Sequence, residues 1–73
     1  MSISFEKQPY NLYFVVDEDW YINDERVMLG SIGISEDDTF YYFTPSGHML
    51  YSSQLKKISN KLDELNYYQG DIN

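Results

Sequence analysis

Apolar residues recur with a helical period only once in this chain, near its C-terminal end. Leu55, Ile58, Leu62 and Leu65 stand at i, i+3, i+7 and i+10, a narrow stripe on a 3.6-residue repeat. Every apolar stretch before it is short, aromatic or β-branched, and bounded by turn-forming or acidic residues. Residues 12–16 (Leu-Tyr-Phe-Val-Val) read as a strand between Pro9 and Asp17-Glu18-Asp19. Trp20-Tyr21-Ile22 is again strand-like, and Asn23-Asp24-Glu25 reads as a turn or bulge. From 26 to 35 the pattern alternates, with Met28, Ile32 and Ile34 on one face and Val27, Leu29, Ser31 and Gly33 on the other. Gly30 and Gly33 inside that strand predict a bulge or the close approach of a neighbouring backbone or ring. Glu36-Asp37-Asp38 reads as a turn before a strand at 39–44. Pro45-Ser46-Gly47 reads as a hairpin connection to a short returning strand at 48–51.

Strands first and one helix last predict an α+β fold: a small antiparallel sheet of three to four strands in a meander, with a C-terminal helix packed on one face. The sheet is expected over about 11–51 and the helix over about 53–66, N-capped by Ser52 or Ser53. Residues 67–73 are expected as a flexible or folded-back tail. No second element remains for the other sheet face, which is therefore expected to expose tyrosines.

Seventy-three residues make one domain with a thin core, because a chain of this size hides only about 60% of its unfolded surface. Cysteine is absent, which excludes disulfides, thiolate zinc sites and thiol chemistry. The opening MSISFEKQPY has no apolar run of signal-peptide length. The longest apolar run, 12–16, is far short of the ~20 residues that span a bilayer. A cytoplasmic protein with no membrane partner is the expectation. Alanine is missing altogether, while one Trp, eight Tyr and four Phe give thirteen rings. A codon bias against alanine accounts for part of this, and rings fill a small core efficiently. The same rings also suit a contact surface.

Charge separates the chain into two parts. Residues 1–51 carry Glu6, Asp17, Glu18, Asp19, Asp24, Glu25, Glu36, Asp37 and Asp38 against only Lys7 and Arg26. Residues 52–73 balance Lys56, Lys57 and Lys61 with Asp63, Glu64 and Asp71, so the net charge of −7 belongs to the first part. Such a field repels nucleic acid and anionic lipid and attracts a basic protein surface.

Recognisable catalytic and metal-binding patterns are missing. His48 is the single histidine, without a second His or a Cys at ligand spacing. No phosphate-cradling glycine loop or nucleophile elbow occurs, and Ser46, His48 and an acid lack the pocket and oxyanion donors of a triad. Asp17-x-Asp19 starts like a calcium loop, but Tyr21, Ile22 and Met28 occupy its fifth, sixth and twelfth positions. The expectation is a protein that is not an enzyme and has no metal or other cofactor. Direct nucleic-acid binding is not expected either, since phosphate contacts need a basic groove.

Binding to a basic protein remains. Carboxylates at i and i+2 of a strand lie ~6.8 Å apart on one side, as Asp17 and Asp19 would, and spaced acids can stand in for backbone phosphates. In size, acidity and exposed rings the chain is similar, as a class, to DNA-mimic anti-restriction and anti-CRISPR proteins of phages and to immunity proteins against nuclease toxins. That likeness implies an acidic inhibitor in the host cytoplasm that occupies the basic, nucleic-acid-binding surface of a host or toxin protein. Its expected contact residues are Asp17, Glu18, Asp19, Trp20, Asp24, Glu25, Glu36, Asp37, Asp38, Tyr41 and Tyr42. The alternative is an interaction module that self-associates as a homodimer through its aromatic sheet face, its acidity serving solubility only.

Overall fold

Four strands and one helix follow each other along the chain: β1 (Ile3–Gln8), β2 (Leu12–Ile22), β3 (Glu25–Ile34), β4 (Tyr41–Pro45) and α1 (Ser52–Asp71). This arrangement is that of a computed structural model, which describes residues 2–71 and side chains as far as Tyr67. The sheet order is β1-β2-β3-β4 with every pair antiparallel, a meander covered on one face by α1. The α+β architecture expected from the sequence is therefore present, with different strand limits.

The first strand was not expected. Ile3–Gln8 pairs with β2 through six register partners, from Ile3 opposite Asp17 to Gln8 opposite Leu12. Its alternation of Ile3, Phe5 and Lys7 with Ser4, Glu6 and Gln8 is too polar to stand out as an apolar run. Tyr10 and Asn11, both at positive φ, close the turn into β2. Asn23 and Asp24, at φ 52° and 65°, form the two-residue turn between Ile22 and Glu25. Two successive positive φ values match the twist of antiparallel strands, and Asn and Asp tolerate them.

The alternation read across residues 26–35 is broken at its middle. Val15 faces Gly30 and Val16 faces Met28, so Leu29 is the extra residue of a bulge. Val27 and Leu29 precede the shift and Ile32 follows it, yet all three reach the same core beneath α1. Met28 stays on the other face and is 42% exposed. The expected grouping of Met28 with Ile32 and Ile34 is thus corrected: a bulge shifts the two-residue period by one. Gly30 makes room for β4, because a Cβ there would lie 2.3 Å from the Thr44 carbonyl oxygen and 2.6 Å from the Phe43 ring. A bulge or the close approach of a backbone or ring was expected at Gly30 and Gly33; Gly30 adjoins the bulge and has both kinds of approach, whereas at Gly33 a Cβ would meet only the Leu12 side chain at 4.0 Å.

Residues 48–51 are not a returning strand. Ser46 donates its N–H to the Leu29 carbonyl and its hydroxyl to the Met28 carbonyl, which satisfies the bulge and turns the chain away from the sheet. A further strand beside β4 would compete with Asn66, whose side-chain amide accepts from Tyr41 N–H (2.6 Å) and donates to Tyr41 C=O (3.1 Å). Residues 46–51 instead carry the chain over to α1.

The helix differs from expectation at both ends. Neither Ser52 nor Ser53 caps it. Tyr51 holds the N-cap position, its C=O accepting from Leu55 N–H, and the Gln54 side chain reaches back to accept from Tyr51 N–H at 2.8 Å. The stripe facing the sheet is Gln54 and Ile58, both buried, with Leu62 and Leu65 half-buried, while Leu55 is 48% exposed. Asn66 does not end α1, since its amide is anchored to β4 from inside the helix. The expected tail at 67–73 is helical as far as Asp71, and Ile72 and Asn73 lie outside the described residues. The core itself is Val15, Val27, Leu29, Ile32 and Ile58, ringed by Phe5, Tyr13, Phe43 and Leu50 among others. No described helix is long and apolar enough to cross a membrane.

Candidate functional site: an acidic hairpin end and its aromatic groove

Register places the carboxylates in two groups at opposite ends of β3, roughly 30 Å apart at ~3.3 Å per residue. One group surrounds the β2–β3 turn: Glu6 from β1, Asp17, Glu18 and Asp19 from β2, then Asp24 and Glu25. The other, Glu36, Asp37 and Asp38, lies in the β3–β4 connection. The eleven residues expected to meet a partner are therefore not brought together on one surface.

The turn-proximal group is organised by an irregularity in β2. Asp17 faces Val27 and Tyr21 faces Arg26, so Glu18, Asp19 and Trp20 bulge out of the ladder. The acidic cluster expected to follow a strand is inside one. Asp17 turns inward and is fully buried. Its Oδ1 accepts from Asp19 N–H at 2.9 Å and its Oδ2 from Gln54 Nε2 at 3.0 Å. Gln54 belongs to the first turn of α1, whose unpaired N–H groups also favour a nearby negative charge. Asp17 is consequently a structural link between β2 and α1, and its expected place in an outer acidic row is corrected. The row of Asp17 and Asp19 fails because the bulge sends the two carboxylates in different directions.

Glu18 points to the uncovered sheet face, where Arg26 donates to it and, at 2.5 Å, to Glu6. Hydrogen bonds and charge from Glu18 first, then Glu6, raise the guanidinium further above its ordinary value. Arg26 is thereby committed to two acids. Asp19 accepts from the backbone N–H of Ser2, while Asp24 and Glu25 are exposed and in no described salt bridge. Beside them lies the uncovered face, with Phe14, Val16 and Met28 as its floor next to Arg26.

On the helix side of the bulge is a groove of about 370 Å³ lined by Asp17, Asp19, Trp20, Met49 and Tyr51. Trp20 is 36% exposed and meets the His48 ring edge-on at 5.2 Å. Met49, Tyr51 and His48 were not expected at a site. The sequence places them 28–31 residues beyond Trp20, and only the irregular crossover after β4 brings them there. Gln54 was missed as well, although Gln three residues past an N-cap is a legible helix-start signal.

The remaining expected contacts lie elsewhere. Tyr41 faces the helix side, half-buried and edge-on to Tyr13 at 6.4 Å. Tyr42 is on the uncovered face, 47% exposed and 6.4 Å from Phe40. Exposed tyrosine on that face agrees with the sequence reading for Tyr42 and Tyr21. In the β3–β4 connection Asp37 Oδ1 accepts from Ser35 Oγ (2.7 Å), Thr39 Oγ1 (2.6 Å) and Thr39 N–H (3.3 Å). Those donors, Thr39 foremost, hold its carboxyl below the usual 3.8. Among the described residues no three His, Asp or Glu side chains converge as metal ligands would.

Fold and site define a small α+β meander with one acidic end beside exposed rings. Comparison with protein-family models, with curated proteins and with solved structures finds no match to the chain.

Proposed function

We propose that this chain is a non-enzymatic binding protein whose β2–β3 end docks on a basic, nucleic-acid-binding surface of another protein and so keeps nucleic acid away from it. One observation carries the reading: Glu6, Glu18, Asp19, Asp24 and Glu25 lie at that end with Arg26 as the single cation among residues 17–28, and Arg26 is already held by Glu6 and Glu18. Asp19, Asp24 and Glu25 remain to meet a partner, with the exposed rings of Trp20 and Tyr21 beside them in the chain and Tyr51 lining the same groove as Asp19 and Trp20. Charges of one sign next to exposed aromatic residues supply both steering and anchors. The reading fits a cytoplasmic, phage-borne inhibitor of a nuclease or a related host protein.

The test is a lysate pull-down at about 50 mM and about 500 mM salt, with wild type and the double variant Asp24→Lys/Glu25→Lys. Screening of exposed charge is nearly complete at the higher salt. A nucleic-acid-binding protein retained by wild type alone, and only at low salt, is the expected result. Retention that ignores both the salt and the reversal sinks the proposal.

A second reading rests on the uncovered face, where Met28 and Tyr42 are 42% and 47% exposed. Self-association there would cover them. It predicts dimers in sedimentation that resist salt and dissociate on Met28→Lys.

A further inference from the structure

The groove beside Trp20 differs from the rest of the acidic end because its walls are apolar and its floor is charged. Trp20, Met49 and Tyr51 form the walls, and Asp17 and Asp19 the base. Its volume of about 370 Å³ falls within the ~300–1,000 Å³ of small-ligand sites. The base is built rather than incidental. Ser2 N–H donates to Asp19 Oδ2, Asp19 N–H to Asp17 Oδ1, Gln54 Nε2 to Asp17 Oδ2 and Tyr51 N–H to Gln54 Oε1, at 2.8–3.0 Å throughout. This chain of hydrogen bonds joins Ser2, Asp19 and the Tyr51 wall to one buried carboxylate. No described salt bridge brings a cation to Asp17 or Asp19.

A carboxylate buried without a cation is costly, and amide donors offset that cost only in part. Rings placed beside such a charge favour an organic cation, which gains from the ring faces as well as from the carboxylates. A hard metal ion would need several free oxygens, whereas both Asp17 oxygens are occupied by N–H donors. Lysine and arginine carry an alkyl stem that matches apolar walls and a charged head that matches the base.

We propose that the Trp20–Met49–Tyr51 groove receives a lysine or arginine side chain of the protein partner, with Asp19 in direct contact and Asp17 as the charge behind it. The inference rests on the reading that the partner is basic, and it names the point at which that partner is anchored.

Trp20 is the only tryptophan in the chain, so its fluorescence reports on the groove alone. The experiment titrates the full chain with a dye-labelled hexa-arginine peptide and a hexa-citrulline control. Binding is followed by anisotropy of the dye and, separately, by Trp20 emission. A saturable emission change with hexa-arginine only is expected. Tyr51→Ala should weaken binding roughly 3–30-fold, the worth of one cation–π contact. Tyr51 contributes only its backbone to the helix cap, so this variant should fold normally. An equal response to hexa-citrulline overturns the inference. So does binding that leaves Trp20 unchanged and is lost on Asp24→Lys/Glu25→Lys, although the basic-partner reading then survives. Absence of any binding to hexa-arginine removes both.

Discussion

Where β2 turns into β3, six carboxylates share the end of the sheet with one arginine, whereas in the connection from β3 to β4 three carboxylates occupy a loop that folds on itself. In sequence the clusters 17–19, 24–25 and 36–38 look alike. The loop at the far end uses its acid internally: Asp37 collects Ser35 and Thr39, and Ser35 N–H and Phe40 C=O close the chain at 2.8 Å. At the near end Asp17 is likewise internal, but its neighbours Asp19, Asp24 and Glu25 are exposed. An acidic cluster is therefore a mixture, and hydrogen bonds decide which of its members face a partner.

Both ends share one helix because β3 changes phase at Leu29–Gly30, so the sharpest way to break the comparison is Gly30→Ala. The added Cβ would meet backbone of β4 at 2.3 Å, and backbone yields less readily than a flexible side chain. A loss of about 3 kcal/mol, the top of the usual range for overpacking, is expected in urea unfolding. A loss below about 1 kcal/mol would mean that β4 does not sit this close to the bulge.

Next in size is the contrast between an internal and an external acid. Asp17→Ala strands the buried Nε2 of Gln54 and should cost about 1–3 kcal/mol. Glu25→Ala, on the surface, should stay within about 0.5 kcal/mol. Equal costs would erase the distinction between structural and partner-facing carboxylates. The contrast also governs the choice of binding variants: reversing Asp17 damages the fold, so Asp24 and Glu25 are the informative positions.

The sequence revealed the order of elements and the helix-on-sheet class, because periodicity separates a 3.6-residue stripe from two-residue alternation. It did not reveal β1, whose residues are half polar and form no continuous apolar run. Of the two bulges it signalled the one at Leu29–Gly30 and not the one at Glu18–Trp20, since an extra residue shifts alternation without changing composition. Gly30 and Gly33 were the visible sign. The groove was illegible for another reason: Trp20 and Tyr51 line it together because Ser46 ties the chain back to β3. Gln54 in place of Leu55 on the buried stripe was hidden by hydropathy, although a buried amide that makes two hydrogen bonds is well accommodated.

The smallest effect belongs to the far end and is read through pH. Thr39 and Ser35 donate to the Asp37 carboxylate and hold its folded-state value below the ordinary 3.8. The unfolded chain therefore binds this proton more readily than the folded one. The resulting stability is present above about pH 3.8 and is lost as pH falls through the lower folded-state value. Asp37→Asn removes that titration, so its stability should decline less steeply below pH 4 than wild type does, a comparison made by thermal melts across the acid range. Because Asp37 is exposed, the change in slope should be slight. Parallel acid curves would show that the loop does not hold its carboxylate in the folded state. The far end would then be as free to meet a partner as the near one.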